Sequence, residues 1–285
     1  MNSGTSFSPP SSAQISNDIE RAFAEDIGAG DATADLLGID AHGHAELTCR
    51  DDAVLAGSAW FDACFRRLDP SVRIEWLLRD GQRMEAGGVI CRLSGRARSL
   101  VTAERSALNF LQLLSGTATT TASYVNAVAG TATRILDTRK TVPGLRLAQK
   151  YAVRCGGGHN QRMGLYDAIL IKENHIAAAG SLVAAVRSAR RNHPDLALEV
   201  EVETLAELAQ ALETDADRIM LDNFDLPQMA EAVRIGAGRV PLEASGNVDL
   251  QTIGAVARTG VDFISVGALT KHVNAVDFSL RLQLG

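Results

Sequence analysis

Apolar residues recur at positions 15, 19, 22, 23 and 27, which is helical spacing over Ile15–Ile27, with Ser16 as its N-cap. The turn Gly28-Ala29-Gly30-Asp31-Ala32-Thr33 follows. Short strands are predicted near His44–Arg50, Val72–Leu78 and Val89–Leu93, with a helix over Ser58–Leu68 and a turn at Asp80-Gly81. From Ser99 to Leu114 the residues Leu100, Ala103, Ala107, Leu108, Leu111 and Leu114 share one side of an amphipathic helix. Strands and helices mix here without alternating, so residues 15–115 read as an N-terminal α+β domain behind a disordered tail, 1–14.

After Gly116 the pattern changes. A short apolar strand followed by an Ala-rich helix recurs six times. The strands lie near Thr133–Leu136, Ala168–Ile171, Ala197–Val202, Arg218–Leu221, Val240–Leu242 and Asp262–Val266. Helices such as Leu182–Arg190, Leu205–Leu212 and Leu226–Ile235 separate them. Repeated βα units make a parallel sheet with right-handed crossovers over residues 116–270. Six units fall short of the eight-stranded barrel, so an incomplete barrel and a doubly wound sheet both stay open. The lack of a GxGxxG after a strand argues against dinucleotide binding. Residues 271–285 are expected to return to the N-terminal domain.

Strand ends come next, because parallel βα architectures carry their chemistry there. The first strand ends in Asp137-Thr138-Arg139-Lys140 and the second in Lys172-Glu173-Asn174-His175. The third carries Glu199, Glu201 and Glu203, and the fourth ends in Asp222-Asn223. The fifth ends in Glu243-Ala244-Ser245-Gly246-Asn247 and the sixth in Gly267-Ala268. The three glutamates alternate with valines, so they share one face. Pointing into a barrel, they need lysines, Mg²⁺ or a ribose hydroxyl beside them; the competing reading is an edge strand with a wet face. Ser245–Asn247 and Val266–Ala268 are small-residue loops after the last two strands, where backbone N–H groups can approach a phosphate. The loop Gly156-Gly157-Gly158-His159-Asn160-Gln161-Arg162 is no Walker A loop; it is either a flexible connection or a ligand approach. His42 and His44 share a strand face and read as an ordinary exposed strand.

Charge sharpens this picture. The 285 residues carry a net charge of −6, which leaves no overall footprint for nucleic acid. Yet Arg134–Lys172 holds eight Lys/Arg and two acids, so the remainder, with 20 basic and 32 acidic residues, is at −12. A cationic island in an acidic chain points to an anionic small molecule. No apolar run is long enough to span a bilayer. The first twelve residues lack the basic start and apolar stretch of a signal peptide, and Cys49, Cys64, Cys91 and Cys155 form no metal or disulfide spacing. A reducing, cytoplasmic setting is expected, with no membrane partner.

The motifs Thr102-Ala103-Glu104-Arg105, Asp137-Thr138-Arg139-Lys140-Thr141-Val142-Pro143-Gly144-Leu145-Arg146, Leu170-Ile171-Lys172-Glu173-Asn174-His175, Glu199–Glu203, Met220-Leu221-Asp222-Asn223, Glu243–Asn247 and Ile264–Thr270 resemble the quinolinate phosphoribosyltransferase family. The family is also called nicotinate-nucleotide pyrophosphorylase (carboxylating), and the likeness runs from about residue 18 onward. It implies an incomplete, open barrel of about six strands beside the α+β domain. It also implies a reaction: quinolinate plus phosphoribosyl pyrophosphate gives nicotinate mononucleotide, pyrophosphate and CO₂ in de novo NAD synthesis, with Mg²⁺. On this resemblance Arg105, Arg139, Arg162 and Lys172 hold the two carboxylates, and Lys140 stands close to the reacting centre. Thr138 joins the substrate site. Ser245, Gly246 and Asn247 with Val266, Gly267 and Ala268 take the 5′-phosphate. Glu201 and Asp222 lie near the ribose and metal, directly or through substrate, and Lys140, Glu201 and Asp222 form the catalytic set. A homodimer is implied, with Arg105 donated to the partner's site. One departure stands out: Gln161 occupies a position where the family often has histidine. Rival readings are a related transferase with nicotinate as acceptor, a Schiff-base aldolase using Lys140 or Lys172, and a non-catalytic binder of an anionic metabolite.

Overall fold

The computed structural model describes residues 7–284. Of the expected tail, residues 1–6 lie outside the described residues, as does Gly285. The rest of it is held: Phe7 packs against the core, Arg154 Nη2 donates to Ser8 O at 2.8 Å, and the first helix begins at Ser12. Its cap is Ser11, whose hydroxyl accepts from Gln14 N, and Ser16 lies inside the helix.

The chain divides into two compact units, Met1–Ala122 with Thr141–Gly157 and His272–Gly285, and Ser123–Lys140 with Gly158–Lys271. In the first unit, a four-stranded antiparallel sheet runs in the order Phe278–Leu284, His42–Cys49, Val89–Arg96, Arg73–Trp76. His42–Cys49 alternates exposed and buried positions, with His42, His44 and Glu46 on the wet face. Across that face the register lines up Arg281, Glu46, Arg92 and Glu75, a row of alternating charge. The dry face packs on helices Ser12–Asp26, Ser58–Leu68 and Ala97–Ala127 through Leu47, Trp60, Phe61, Phe65, Leu111 and Leu114. Each such side chain contributes about 1.5–3 kcal/mol on burial. Trp60 satisfies its indole N–H on buried Asp18 at 2.9 Å.

The helix expected over Ser99–Leu114 runs on to Ala127. A Cβ on Gly116 would collide with Asn274 O, so this glycine permits a close backbone approach and ends nothing.

The second unit holds six parallel strands: β1 (Arg134–Leu136), β2 (Ala168–Ile171), β3 (Ala197–Val202), β4 (Arg218–Asp222), β5 (Leu242–Ser245) and β6 (Phe263–Ser265). Their order is β1-β6-β5-β4-β3-β2. The strands first and second in sequence are therefore the two edges, and no ladder joins them: the sheet is an incomplete barrel. The helices Leu182–Asn192, Leu205–Ala211, Leu226–Gly236 and Ile253–Arg258 follow β2 through β5. Thr204 with Glu207 and Asp225 with Gln228 make capping boxes at two of them. β5 lies two to three residues beyond its expected position at Val240–Leu242. Pro241 cannot donate to a ladder, so regular pairing starts after it. The helix Arg146–Cys155, which lies between β1 and β2 in sequence, packs with the first unit.

Candidate active site

Register decides which side chains line the barrel. Leu170 pairs with Glu199, and Glu199 with Arg218; Glu201 pairs with Met220, and Met220 with Glu243. Leu198, Val200 and Val202 are buried on the opposite face of β3. Since β3 lies between β2 and β4, the edge-strand reading of the glutamates is excluded. Glu199 and Glu201 are buried, whereas Glu203 is exposed past the strand end.

Each buried acid has a partner. Lys172 Nζ donates to Glu201 Oε2 at 2.6 Å. Arg218 Nη1 donates to Glu243 Oε2 at 2.9 Å, Ser265 Oγ also reaches Glu243, and the guanidinium lies 4.2 Å from the Phe263 ring centroid. Glu199 Oε2 accepts from Gln161 Nε2 at 2.8 Å, while its Oε1 is sealed from water without a donor. Burial first, then the charge of Glu243, pushes the Glu199 carboxyl well above the usual carboxylate range. Arg218 faces both acids, and its charge lowers the cost of burying Glu199 beside Glu243.

Above it lies the mouth. Lys140 N donates to Thr138 Oγ1 at 3.1 Å and Lys140 O accepts from buried Thr270 Oγ1 at 2.9 Å, so the lysine backbone is held at both ends. Its side chain lies over Gly267: a Cβ there would sit 2.9 Å from Lys140 Cδ. Arg162 Nη1 donates to Ala168 O at 3.3 Å. Burial first, and then the nearby charge of Arg139, hold the Arg162 guanidinium below its usual range. The charges of Glu199 and Asp167 act on Arg162 in the opposite sense.

On the other side of the mouth, Asn223 N donates to Ser245 O at 3.0 Å, and Asn223 Nδ2 to Asp222 Oδ2 at 2.9 Å. Asn223 (φ 56°), Gly246 (φ 108°) and Asn247 (φ 43°) are all left-handed. A Cβ on Gly246 would collide with Asn223 Oδ1, so the two loops are shaped around each other. The Val266 side chain is buried and its N–H bonds Leu136 O, so what this loop offers a ligand is the backbone around Gly267 and Ala268.

The second unit thus gathers Thr138, Arg139, Lys140, Lys172, Glu201, Asp222, Ser245–Asn247 and Val266–Ala268 at the carboxyl ends of one sheet's strands, whereas Arg162 comes from the loop before β2 and bonds that strand's first residue. Arg105 is exposed on the helix Ala97–Ala127 of the first unit, one turn after Thr102, which donates to Asp31 at 2.8 Å. The cationic island divides: Arg146, Lys150 and Arg154 belong to the first unit, and Arg134 sits at the amino end of β1. Gly156 serves packing, since a Cβ there would collide with Ala118 O. Arg218, Ser265 and Thr270 join the site without having been expected there. Only Arg218 carried a signal, its period-two spacing from Asp222 along an inward face.

The description "Quinolinate phosphoribosyl transferase, N-terminal domain" matches residues 31–115 and the corresponding C-terminal domain matches 117–281. A Synechocystis protein named probable nicotinate-nucleotide pyrophosphorylase [carboxylating] is 44% identical over 268 residues, covering 93% of this chain and 91% of its own. The chloroplastic nicotinate-nucleotide pyrophosphorylase of Arabidopsis thaliana is 42% identical over 93% of this chain and 82% of its own. The solved nicotinate-nucleotide pyrophosphorylase of Francisella tularensis superposes with a TM-score of 0.95 at 47% identity, covering 98% of this chain and all of that one. With both domains matched in order and the cationic and acidic strand ends on one barrel mouth, the chain belongs to the quinolinate phosphoribosyltransferase family.

Proposed function

We propose that the protein transfers the phosphoribosyl group of phosphoribosyl pyrophosphate to quinolinate with loss of CO₂, giving nicotinate mononucleotide and pyrophosphate in de novo NAD synthesis. The observation that carries this reading is that Lys140, Lys172 with its partner Glu201, and Asp222 all follow or end strands of one parallel sheet, with Arg139 close to Arg162. A dicarboxylate neutralises such a pair through bidentate hydrogen bonds.

In this reading Arg139, Arg162 and Lys172 hold the acceptor, and Thr138 and Lys140 face the reacting centre. The loops Ser245–Asn247 and Val266–Ala268 take the 5′-phosphate on backbone N–H groups. Lys140, lying over Gly267, sits between that loop and the acceptor side and offsets negative charge as the ribose C1–O bond breaks. Glu201 and Asp222 favour the oxocarbenium-like ribose electrostatically. The pyridine nitrogen attacks C1 as pyrophosphate leaves. Loss of the adjacent carboxylate as CO₂ then leaves its electron pair on ring C2 as a carbanion that the neighbouring positive nitrogen stabilises, and a proton from water takes that pair to complete the product. The protein's task is positioning and charge neutralisation.

The donor chemistry fits Mg²⁺: Asp222 and Glu201 offer hard carboxylate oxygens, and the ion characteristically takes one or two carboxylates with substrate phosphate oxygens. When bound, it neutralises the leaving pyrophosphate. Glu201 is engaged by Lys172, which leaves Asp222 the more available of the two.

The working unit in this reading is a homodimer in which exposed Arg105 reaches the partner's site, and the setting is the cytoplasm. The four free, buried cysteines are compatible with a reducing compartment. Pyrophosphate release with phosphoribosyl pyrophosphate, Mg²⁺ and either quinolinate or nicotinate tests the assignment. Release with quinolinate only, matched by CO₂, is expected. Release with nicotinate only overturns the acceptor.

A further inference from the structure

The barrel is open between its edge strands β1 and β2, and the segment His159–Arg162 lies along that seam. On one side it pairs with the β1 edge: Leu136 and His159 form a parallel bridge, His159 N donates to Ile135 O at 2.8 Å, and Asp137 N donates to His159 O at 3.1 Å. Beyond the strand, buried Asp137 fastens the next two residues, accepting from Asn160 Nδ2 at 2.5 Å and from Gln161 N at 2.9 Å. On the other side, Arg162 Nη1 reaches Ala168 O of β2 and Gln161 Nε2 reaches Glu199 Oε2 of β3. The strip is therefore a short seventh element, zipped to β1 by backbone and joined by one side chain to the far edge, β2, and by another to β3. The acceptor-binding Arg162 sits at its end.

Glu199 is an unusual choice for that position. It is buried, it touches none of the mouth residues through a hydrogen bond, and its carboxyl lies against that of Glu243. What a carboxyl supplies there, and an apolar side chain could not, is an acceptor for the Gln161 amide at 2.8 Å.

We propose that Glu199 is a positioning residue for acceptor recognition: through Gln161 it holds the seam strip in register and so sets the place of Arg162. Gln161 is then a strut between Glu199 and Asp137, which gives the residue a role that needs no titrating side chain. The inference rests on the acceptor reading above for its kinetic consequence, though not for its structural one.

The test compares Glu199→Ala, Gln161→Ala and Glu199→Gln in the full-length protein. Three quantities are read: the KM for quinolinate, the KM for phosphoribosyl pyrophosphate, and amide hydrogen exchange over residues 159–162. Glu199→Ala and Gln161→Ala are expected to raise the quinolinate KM about tenfold, the effect of losing one well-placed hydrogen bond to the loop. The other KM should change less than about twofold, and exchange in the strip should quicken. Glu199→Gln keeps an acceptor oxygen for Gln161 Nε2 and should recover most of the loss. If Glu199→Ala does not fold, Gln161→Ala, which alters a half-buried side chain, reads the same two quantities.

A Glu199→Gln variant as impaired as Glu199→Ala overturns the proposal, because the charge and not the strut would then matter. Equal rises in both KM values, or unchanged exchange, overturn it as well. Quickened exchange in an enzyme that does not use quinolinate leaves the strut standing and removes the acceptor reading instead. Unchanged exchange in an enzyme that does use quinolinate removes the strut alone.

Discussion

Lys172 Nζ stands 2.6 Å from Glu201 Oε2, with the lysine side chain 44% exposed and the glutamate 8%. The pair joins a residue assigned to the acceptor to one assigned to the ribose, so neither can be changed alone. Lys172→Met leaves a buried carboxylate without its cation. It should destabilise by about 1–2 kcal/mol, less than for a fully buried pair because water reaches the lysine. Adding Glu201→Gln should restore stability in urea unfolding without restoring turnover. Recovery of turnover in the double variant would remove both residues from the chemistry.

Lys140 gives the opposite signature. Its side chain is exposed while its backbone is held by Thr138 and Thr270. Lys140→Ala should change stability by no more than about 0.5 kcal/mol. It should lower kcat about a hundredfold or more if the ammonium offsets charge in the transition state. Wild-type-like turnover would count against its role.

Gly246 is left-handed at φ 108°, and a Cβ there would strike Asn223 Oδ1. Gly246→Ala is therefore expected to push the two loops apart. The KM for phosphoribosyl pyrophosphate should rise severalfold, with the quinolinate KM nearly unchanged. Isothermal calorimetry with phosphoribosyl pyrophosphate alone separates binding from turnover; unchanged affinity would take the 5′-phosphate away from this loop.

The shared-site reading makes a quantitative prediction. Arg105→Ala and Lys140→Ala proteins, each inactive, are mixed, unfolded and refolded together. In a two-fold dimer with Arg105 donated across, half of the random pairs are hybrids with one intact site each, so about a quarter of wild-type activity returns. No recovery would mean that Arg105 acts within its own chain or not at all.

Asp31 accepts from Ala34 N, Thr102 Oγ1 and Thr33 N, and these bonds, led by Ala34, hold its carboxyl below the usual range. An acid lowered in the folded state stabilises above its unfolded pKa, near 3.8, and loses that contribution as pH falls through the folded value. Asp31→Asn should thus be less stable than wild type at neutral pH, and the gap should close on acidification. A gap independent of pH would assign the effect to shape alone. Since Thr102 lies one turn before Arg105, the same variant should also loosen the helix turn that presents Arg105.

Much of the architecture could be read from residue spacing, and the exceptions have physical causes. The strands β2, β3 and β4 announce themselves because apolar runs such as Ala168–Ile171 alternate with Ala-rich helices. Val240 and Leu242 look like a strand and place β5 too early, because Pro241 between them cannot donate to a ladder. The helix Arg146–Cys155 resembles any crossover helix in sequence. What assigns it to the first unit is a contact 91 positions away in the chain, the ring of Tyr151 lying 5.6 Å from that of Trp60. In the site, the inward glutamates were legible from their period of two, and so was their need for partners. Which partners they take was not: Arg218 answers Glu243 and Gln161 answers Glu199 through register and loop path, which local sequence does not encode.

The pairing of Phe278–Leu284 with His42–Cys49 has a consequence for how the chain is made. Every barrel strand leaves the ribosome before Phe278 does, so the six-stranded parallel sheet can form while the first unit's sheet still lacks its outermost strand. Until then the backbone edge of Gly43–Cys49 is bare, a template for pairing with another nascent chain. A stall or a truncation before residue 278 would therefore yield a formed parallel sheet tethered to a sticky, half-built neighbour.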